Sequence, residues 1–275
     1  ISLIKFFLPK KTKLVARESN FVSKNLEYQS NPIIMKFFYK LFYNNIDLSL
    51  VFSKSHKKDI SIHTNIEDKK IKILHNPIDF HSILKLSQKK INYKYKKFFF
   101  NKSKKFIFVG SLSFQKGIDI FIKILNKCKN KNFIYNIIGN GSEFCSLKDL
   151  VKKKKLQNKI NFIPYQNNPF PYIALSDAYV MSSRFEGMSN IVLETLVLKK
   201  PIIFFDGIGA STQLLKKIEN THLIKKNIKN FSEEYIDSHK LRNSNFSNAS
   251  YLKKFSTENV VKSYEKTIDD LLKNR

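Results

Sequence analysis

Arginine is scarce in this 275-residue sequence. Of its 50 basic residues four are arginine (Arg17, Arg184, Arg242 and Arg275) and 46 are lysine, and the formal net charge is +28. That charge alone points to a nucleic-acid binder. Phosphate and base recognition, however, favours the planar guanidinium fork, and a lysine-rich chain also full of Ile, Asn and Phe has the composition an AT-rich coding sequence would produce. We therefore expect no specific nucleic-acid partner. The charge remains a physical fact, so weak attraction to anionic substrates and anionic membrane surfaces is expected.

Cysteine is rarer still. Cys128 and Cys145 form no C-x-x-C pair and no metal-spaced cluster, which fits unpaired thiols in a reducing compartment. The six histidines show no H-E-x-x-H spacing and no Asp-x-Asp stands out, so we expect no protein-bound metal and no cofactor. No apolar run is long enough to span a bilayer. The chain opens with Ile1 inside an ordinary-looking element, which we read as a missing true start, with a targeting segment there left open.

What is present is alternation. Upstream, 13–16, 47–52 and 71–74 read as strands and 33–43 as a helix, and Ser53 is a helix cap before 54–60. Residues 80–105 are lysine-rich and aromatic without a clear period, which suggests a connection holding a frayed helix. From Phe106 strands at 106–109, 133–138, 160–163, 178–181 and 201–204 alternate with helices at 117–127, 143–155, 169–175, 190–198 and 209–218. A last amphipathic helix covers 257–272. Such alternation predicts α/β domains with doubly wound parallel sheets.

Three segments could carry chemistry. Gly110 to Gly117 follows a buried-type strand and opens a helix, so its amides face the carboxyl edge of the sheet and Lys116 puts an ammonium there. Gly139-Asn-Gly141 follows the next strand and reads either as a tight turn or as a close backbone approach to a ligand. In Arg184-Phe-Glu-Gly-Met-Ser-Asn-Ile-Val-Leu-Glu194, Gly187 permits a turn and Ser189 or Asn190 can cap a helix. Several amides should then converge beside Glu186 on a spot suited to a diphosphate. Glu194, in the helix's second turn, can accept two ribose hydroxyls. Further upstream, Arg17-Glu18-Ser19-Asn20 ends a strand and should face a cleft, where Arg17 meets the phosphate of an acceptor substrate or forms an Arg–Glu pair within its own domain. The apolar stripe at 33, 34, 37, 38, 41 and 42 is three times more often core than membrane anchor.

These segments, with Asn161-Phe-Ile-Pro-Tyr165 and Asn168-Pro-Phe-Pro-Tyr172, occur in the order found in family four of the retaining nucleotide-sugar glycosyltransferases, also called group 1, which the chain resembles over about residues 104–216. The resemblance implies the GT-B architecture, two Rossmann-like doubly wound parallel-sheet domains, the first incomplete. The remainder of an acceptor-side domain would cover 1–80, a connection 81–105, a nucleotide-sugar domain 106–256, and a helix crossing back to the first domain 257–275. By the same resemblance Glu186 and Lys116 are catalytic. Gly110, Ser111, Lys116, Gly139, Gly141, Tyr165, Glu186, Gly187, Met188, Ser189, Asn190 and Glu194 bind the donor, with Tyr165 near the base. The family pattern has arginine where this chain has Ser111, which removes a charge from the leaving-group site. Implied partners are a nucleotide-sugar donor, UDP-linked by expectation, and a saccharide or polyprenol-linked acceptor. The implied location is the cytoplasm, with peripheral attachment to the inner face of the membrane as an extension. The alternatives are a nucleotide-sugar epimerase of the same fold and a basic nucleic-acid-binding module.

Overall fold

The computed structural model describes residues 5, 7–9, 11–28, 30–225, 231–237, 241 and 249–273. Ile1, Arg242 and Arg275 lie outside the described residues. Three short strands, β1 (Val15–Arg17), β2 (Leu48–Val51) and β3 (Ile71–Ile73), form one parallel sheet in the order β1-β2-β3. Downstream come β4 (Lys104–Val109), β5 (Phe133–Ile138), β6 (Ile160–Ile163), β7 (Ala178–Met181) and the two-residue β8 (Phe185–Glu186). They are followed by β9 (Ile202–Phe205), the two-residue β10 (Ile208–Gly209) and β11 (Thr221–Ile224).

Six of these make the second parallel sheet, ordered β11-β9-β7-β4-β5-β6. Its strands β7 and β9 are buried at every residue, as strands covered on both faces require. In β4, Ile107 packs on one face with Tyr179, Met181, Ile202 and Phe204, while Phe106 and Phe108 pack on the other with Tyr135, Ile137 and Phe205. Strand order reverses beside β4, whose neighbours are β5 on one side and β7 on the other. This reversal marks the carboxyl edge beside β4 and β7 as the place where such a sheet receives a ligand.

The expected alternation from Phe106 onward is present. Ser53 caps helix Lys54–His63 by accepting from the His56 amide at 3.2 Å, and Asp79 caps helix Phe80–Ser87 by accepting from the Ser82 amide at 2.9 Å. The strand β11 was not foreseen; Thr-His-Leu-Ile carries a polar residue pair that masks its pattern, and pairing with β9 decides it. Helix Val22–Glu27 was also not foreseen.

Helix Pro32–Phe42 corrects an expectation. Its core contact is made by Met35 and Tyr39, four residues apart, whereas Ile33, Ile34, Phe37, Phe38 and Leu41 are exposed and no residue of the helix is fully buried. The expected core stripe therefore faces outward. Among the described residues no helix is long and apolar enough to cross a membrane. Helix Thr257–Lys273 packs Tyr264, Ile268 and Leu271 against Leu48, Leu50 and Leu74 of the first sheet region. Both cysteines are free, Cys128 buried and Cys145 exposed.

Candidate functional site

Between the two sheets lies a crevice of about 460 Å³ lined by Arg17, Ser19, Asn20, Phe52, Asn76, Ser111, Gln115, Lys116, Glu186, Met188, Ser189 and Asn190. One wall comes from the ends of β1, β2 and β3, the other from the loops after β4 and β7. At its centre the Lys116 ammonium is ion-paired to the Glu186 carboxylate, 70 residues away in sequence. Ser183 Oγ donates to the same carboxylate oxygen at 3.3 Å. Glu186 is 8% exposed, so the pair sits where electrostatics are weakly screened.

Backbone contacts build this arrangement. Gly117 adopts the left-handed φ of 61°, and a Cβ there would lie 2.3 Å from the Ser182 carbonyl oxygen, so only glycine lets the first loop close on the end of β7. Gly187 approaches the opposite wall: a Cβ there would lie 1.9 Å from the Ser19 carbonyl oxygen. Arg184 fixes the two loops to each other. Its guanidinium donates to the Phe114 carbonyl at 2.7 Å, pairs with Asp119 at 2.9 Å and stacks over the Phe114 ring at 4.0 Å. Gln115 Nε2 donates to the Phe185 carbonyl at 3.2 Å and to Asn20 Oδ1 at 3.3 Å, which reaches across to the first sheet.

Of the expected donor residues, Ser111, Lys116, Glu186, Met188, Ser189 and Asn190 share the crevice. Gly110, Gly139 and Gly141 are not among its lining residues. A Cβ on Gly139 or Gly141 would strike the backbone of Gly110 or Leu112, and the Leu112 amide donates to the Asn140 carbonyl at 2.9 Å, so these glycines support the first loop from behind. The expected fan of free amides at helix Asn190–Val197 loses the Ser189 amide, which donates to Ser211 Oγ at 2.8 Å. The Ser189 side chain makes no capping bond.

Glu194 is partly buried, and burial raises its pKa. It does not line the crevice. Burial first, then the charges of Glu186 and Glu194, push the Tyr179 phenol well above its ordinary value. The Tyr179 hydroxyl donates to the Val109 carbonyl at 3.3 Å, at the end of β4.

Three expectations fare differently. Tyr165 is 67% exposed and lies away from this crevice, beside a separate cavity shared with Asn92, Gln166, Asn168 and Tyr172. Glu18 turns away from the cleft: it accepts from the Tyr43 hydroxyl at 2.6 Å in an apolar groove of about 610 Å³, which Arg17 also borders. Burial raises its pKa, against the opposing effect of the Tyr43 bond. Arg17 does face the crevice, but not as an ion pair with Glu18. Its guanidinium lies over the rings of Phe52 at 5.0 Å and Tyr264 at 5.5 Å and donates to Asn76 Oδ1. Ser19 and Asn20, expected at the cleft with Arg17, do line the crevice, whereas Asn76, Phe52 and Gln115 were not singled out beforehand as site residues. Gln115 adjoins Lys116, so nearness to a named residue was the available cue there; Phe52 offered none.

The arrangement invites comparison with known proteins. Residues 89–253 match the family model described as glycosyl transferases group 1. The uncharacterized glycosyltransferase MJ1059 of Methanocaldococcus jannaschii is 31% identical over 220 residues, covering 75% of this chain and 53% of that protein. The N-acetylgalactosamine-N,N'-diacetylbacillosaminyl-diphospho-undecaprenol 4-alpha-N-acetylgalactosaminyltransferase of Campylobacter jejuni is 28% identical over 215 residues, covering 78% and 56%. The chain thus spans about half the length of these curated relatives. Among solved structures, Anabaena HepE in complex with UDP-glucose superposes with a TM-score of 0.77 at 17% identity, covering 98% of this chain and 75% of that one. That likeness shows the fold, which is GT-B. With the family model spanning more than half of its residues, the chain belongs to the group 1 glycosyltransferases.

Proposed function

We propose that this chain is the donor-binding part, with an adjoining acceptor-side remainder, of a retaining glycosyltransferase. It moves a hexose or N-acetylhexosamine from a nucleotide diphosphate, UDP in this reading, to a saccharide or lipid-linked saccharide in bacterial polysaccharide or O-antigen assembly. The three-stranded sheet is then the remainder of an acceptor-side domain over 1–80, joined through 81–105 to a nucleotide-sugar domain over 106–256.

The observation that carries the reading is the Lys116–Glu186 pair in the intersheet crevice. Lys116 is placed to take up charge that grows on the diphosphate, and Glu186 to hold sugar hydroxyls and steady positive charge at the anomeric carbon. In the reaction the bond from the anomeric carbon to the phosphate oxygen breaks, its electron pair going to the diphosphate. An acceptor hydroxyl oxygen bonds to that carbon on the same face, and its proton passes to the departing phosphate oxygen. The UDP-glucose held by HepE supports a UDP donor, and the undecaprenol-linked substrate in the name of the Campylobacter relative supports a lipid-linked acceptor. Such an acceptor lies at a membrane surface, and the exposed Phe37, Phe38 and Leu41 beside Lys36 and Lys40 suit shallow insertion among anionic headgroups.

Thermal shift against UDP-, GDP- and ADP-sugars tests the donor, with stabilisation expected from UDP-sugars. Transfer to a saccharide acceptor should disappear in Glu186→Gln while donor binding persists. Turnover of donor without any acceptor would instead identify an epimerase, and salt-steep binding to duplex DNA without a nucleotide-sugar shift would discard the enzyme reading.

A further inference from the structure

Two cations line the crevice, and their circumstances differ. The charge of Lys116 is already opposed by Glu186. Arg17 has no carboxylate partner among the described residues; it is held by two aromatic rings and by the side-chain oxygen of Asn76. Asn76 in turn donates to Asn190 Oδ1, at the first residue of helix Asn190–Val197. Two consecutive hydrogen bonds thus tie the guanidinium to the helix start beside Ser189 and Glu186. Ser111, on the facing loop, supplies a hydroxyl and no charge.

A nucleoside diphosphate sugar carries a negative charge on each phosphate and gains another as the sugar departs. With Lys116 paired to Glu186, one ammonium does not match that charge. We infer that Arg17, reaching from the end of β1 across the crevice, is the second diphosphate-binding cation of the donor site. The assignment rests on the donor-site reading and deepens it. Cation–π contact with Phe52 and Tyr264 and the single bond to Asn76 hold the guanidinium while leaving most of its five N–H donors for a ligand, which suits bidentate phosphate recognition. The donor site then draws on both sheets and on the last helix, so binding the diphosphate also holds the two walls together.

The test measures UDP affinity by calorimetry and uridine affinity by NMR titration, on the full chain. Arg17→Gln should weaken UDP about tenfold to a hundredfold, as loss of charge-assisted hydrogen bonds does, and leave uridine unchanged. Arg17→Lys should fall between, since an ammonium keeps charge but not the fork. Ser111→Arg added to Arg17→Gln should recover most of the UDP affinity by placing a guanidinium on the opposite wall. Equal weakening of UDP and uridine, or unchanged UDP affinity with loss only of a phosphate-bearing acceptor, overturns the assignment while the donor reading stands. A wild-type chain that binds neither UDP nor uridine removes both.

Discussion

Gly187→Ala offers a severe test of how the crevice is built. Gly187 has no left-handed backbone angle, so alanine brings no conformational penalty of its own. The whole effect is steric. A Cβ would stand 1.9 Å from the Ser19 carbonyl oxygen, where ordinary contact begins at 3.4 Å, so the two walls must part by about an ångström and a half. The obstacle is backbone, and no side-chain rotamer relieves it; Phe52 Cδ2 at 3.5 Å blocks a sideways shift. Overpacking of this kind costs about 1–3 kcal/mol of stability. Misplacement of a catalytic group by about 1 Å costs about a hundredfold in rate. The next residue upstream is Glu186, so the displacement falls on the ion pair with Lys116. We expect a lower melting temperature, a clear loss of UDP affinity by calorimetry, and transfer reduced about a hundredfold, with Gly187→Ser no better. A variant that melts with the wild type and binds UDP within twofold of it would refute the claim that the loop after β7 touches the first sheet.

Glu194→Gln should raise the melting temperature at neutral pH. Burial raises this carboxyl above its ordinary 4.5, so the native state holds the proton more tightly, and stability falls as pH rises from that value through the folded one; the gain from Gln is therefore full above this window and gone well below pH 4.5. The same variant should bind UDP more weakly, and stabilisation without that loss would remove the ribose assignment. Arg184→Ala removes the bonds to Phe114 and Asp119 and should cost about 1.5–3 kcal/mol, seen as a shifted denaturant midpoint, with proteolytic nicking in 113–119 under native conditions. Phe37→Glu with Phe38→Glu should leave melting unchanged, because both rings are exposed, and abolish flotation with anionic liposomes; retained flotation would end the membrane reading.

Much of the second sheet was legible in the sequence because its strands are buried on both faces and read as apolar runs between helical periods. The position of the crevice followed from strand–loop–helix order, which places residues 110–117 and 182–190 at one sheet edge. Side-chain direction was less legible. Arg17 and Glu18 are adjacent, and which of them faces the crevice depends on the phase of a three-residue strand. The stripe at 33–42 was readable as amphipathic, but a period does not say which face meets the core when Met35 and Tyr39 offer a second, narrower apolar line. The amide of Ser189 was assigned to a ligand because Ser211, 22 residues on, could not be known to take it.

The scarcity of arginine, first an argument against nucleic acid, becomes informative at the site. In a chain with 46 lysines, a cation needed only for charge is supplied by lysine; arginine persists where the planar fork itself is required. Both described arginines fit that rule. Arg184 lies over Phe114 while pairing with Asp119, and Arg17 makes cation–π contacts with Phe52 and Tyr264 while bonding Asn76. One lies on the second-sheet side and fixes the shape of the loops that carry Lys116 and Glu186. The other belongs to the first sheet and carries a charge that no carboxylate in the described residues opposes. If composition had set their positions, lysine would serve equally at both. The physical claim is therefore that Arg184→Lys loses the loop geometry and Arg17→Lys loses part of the diphosphate affinity, two failures with different readouts arising from one property, the rigid and stackable guanidinium.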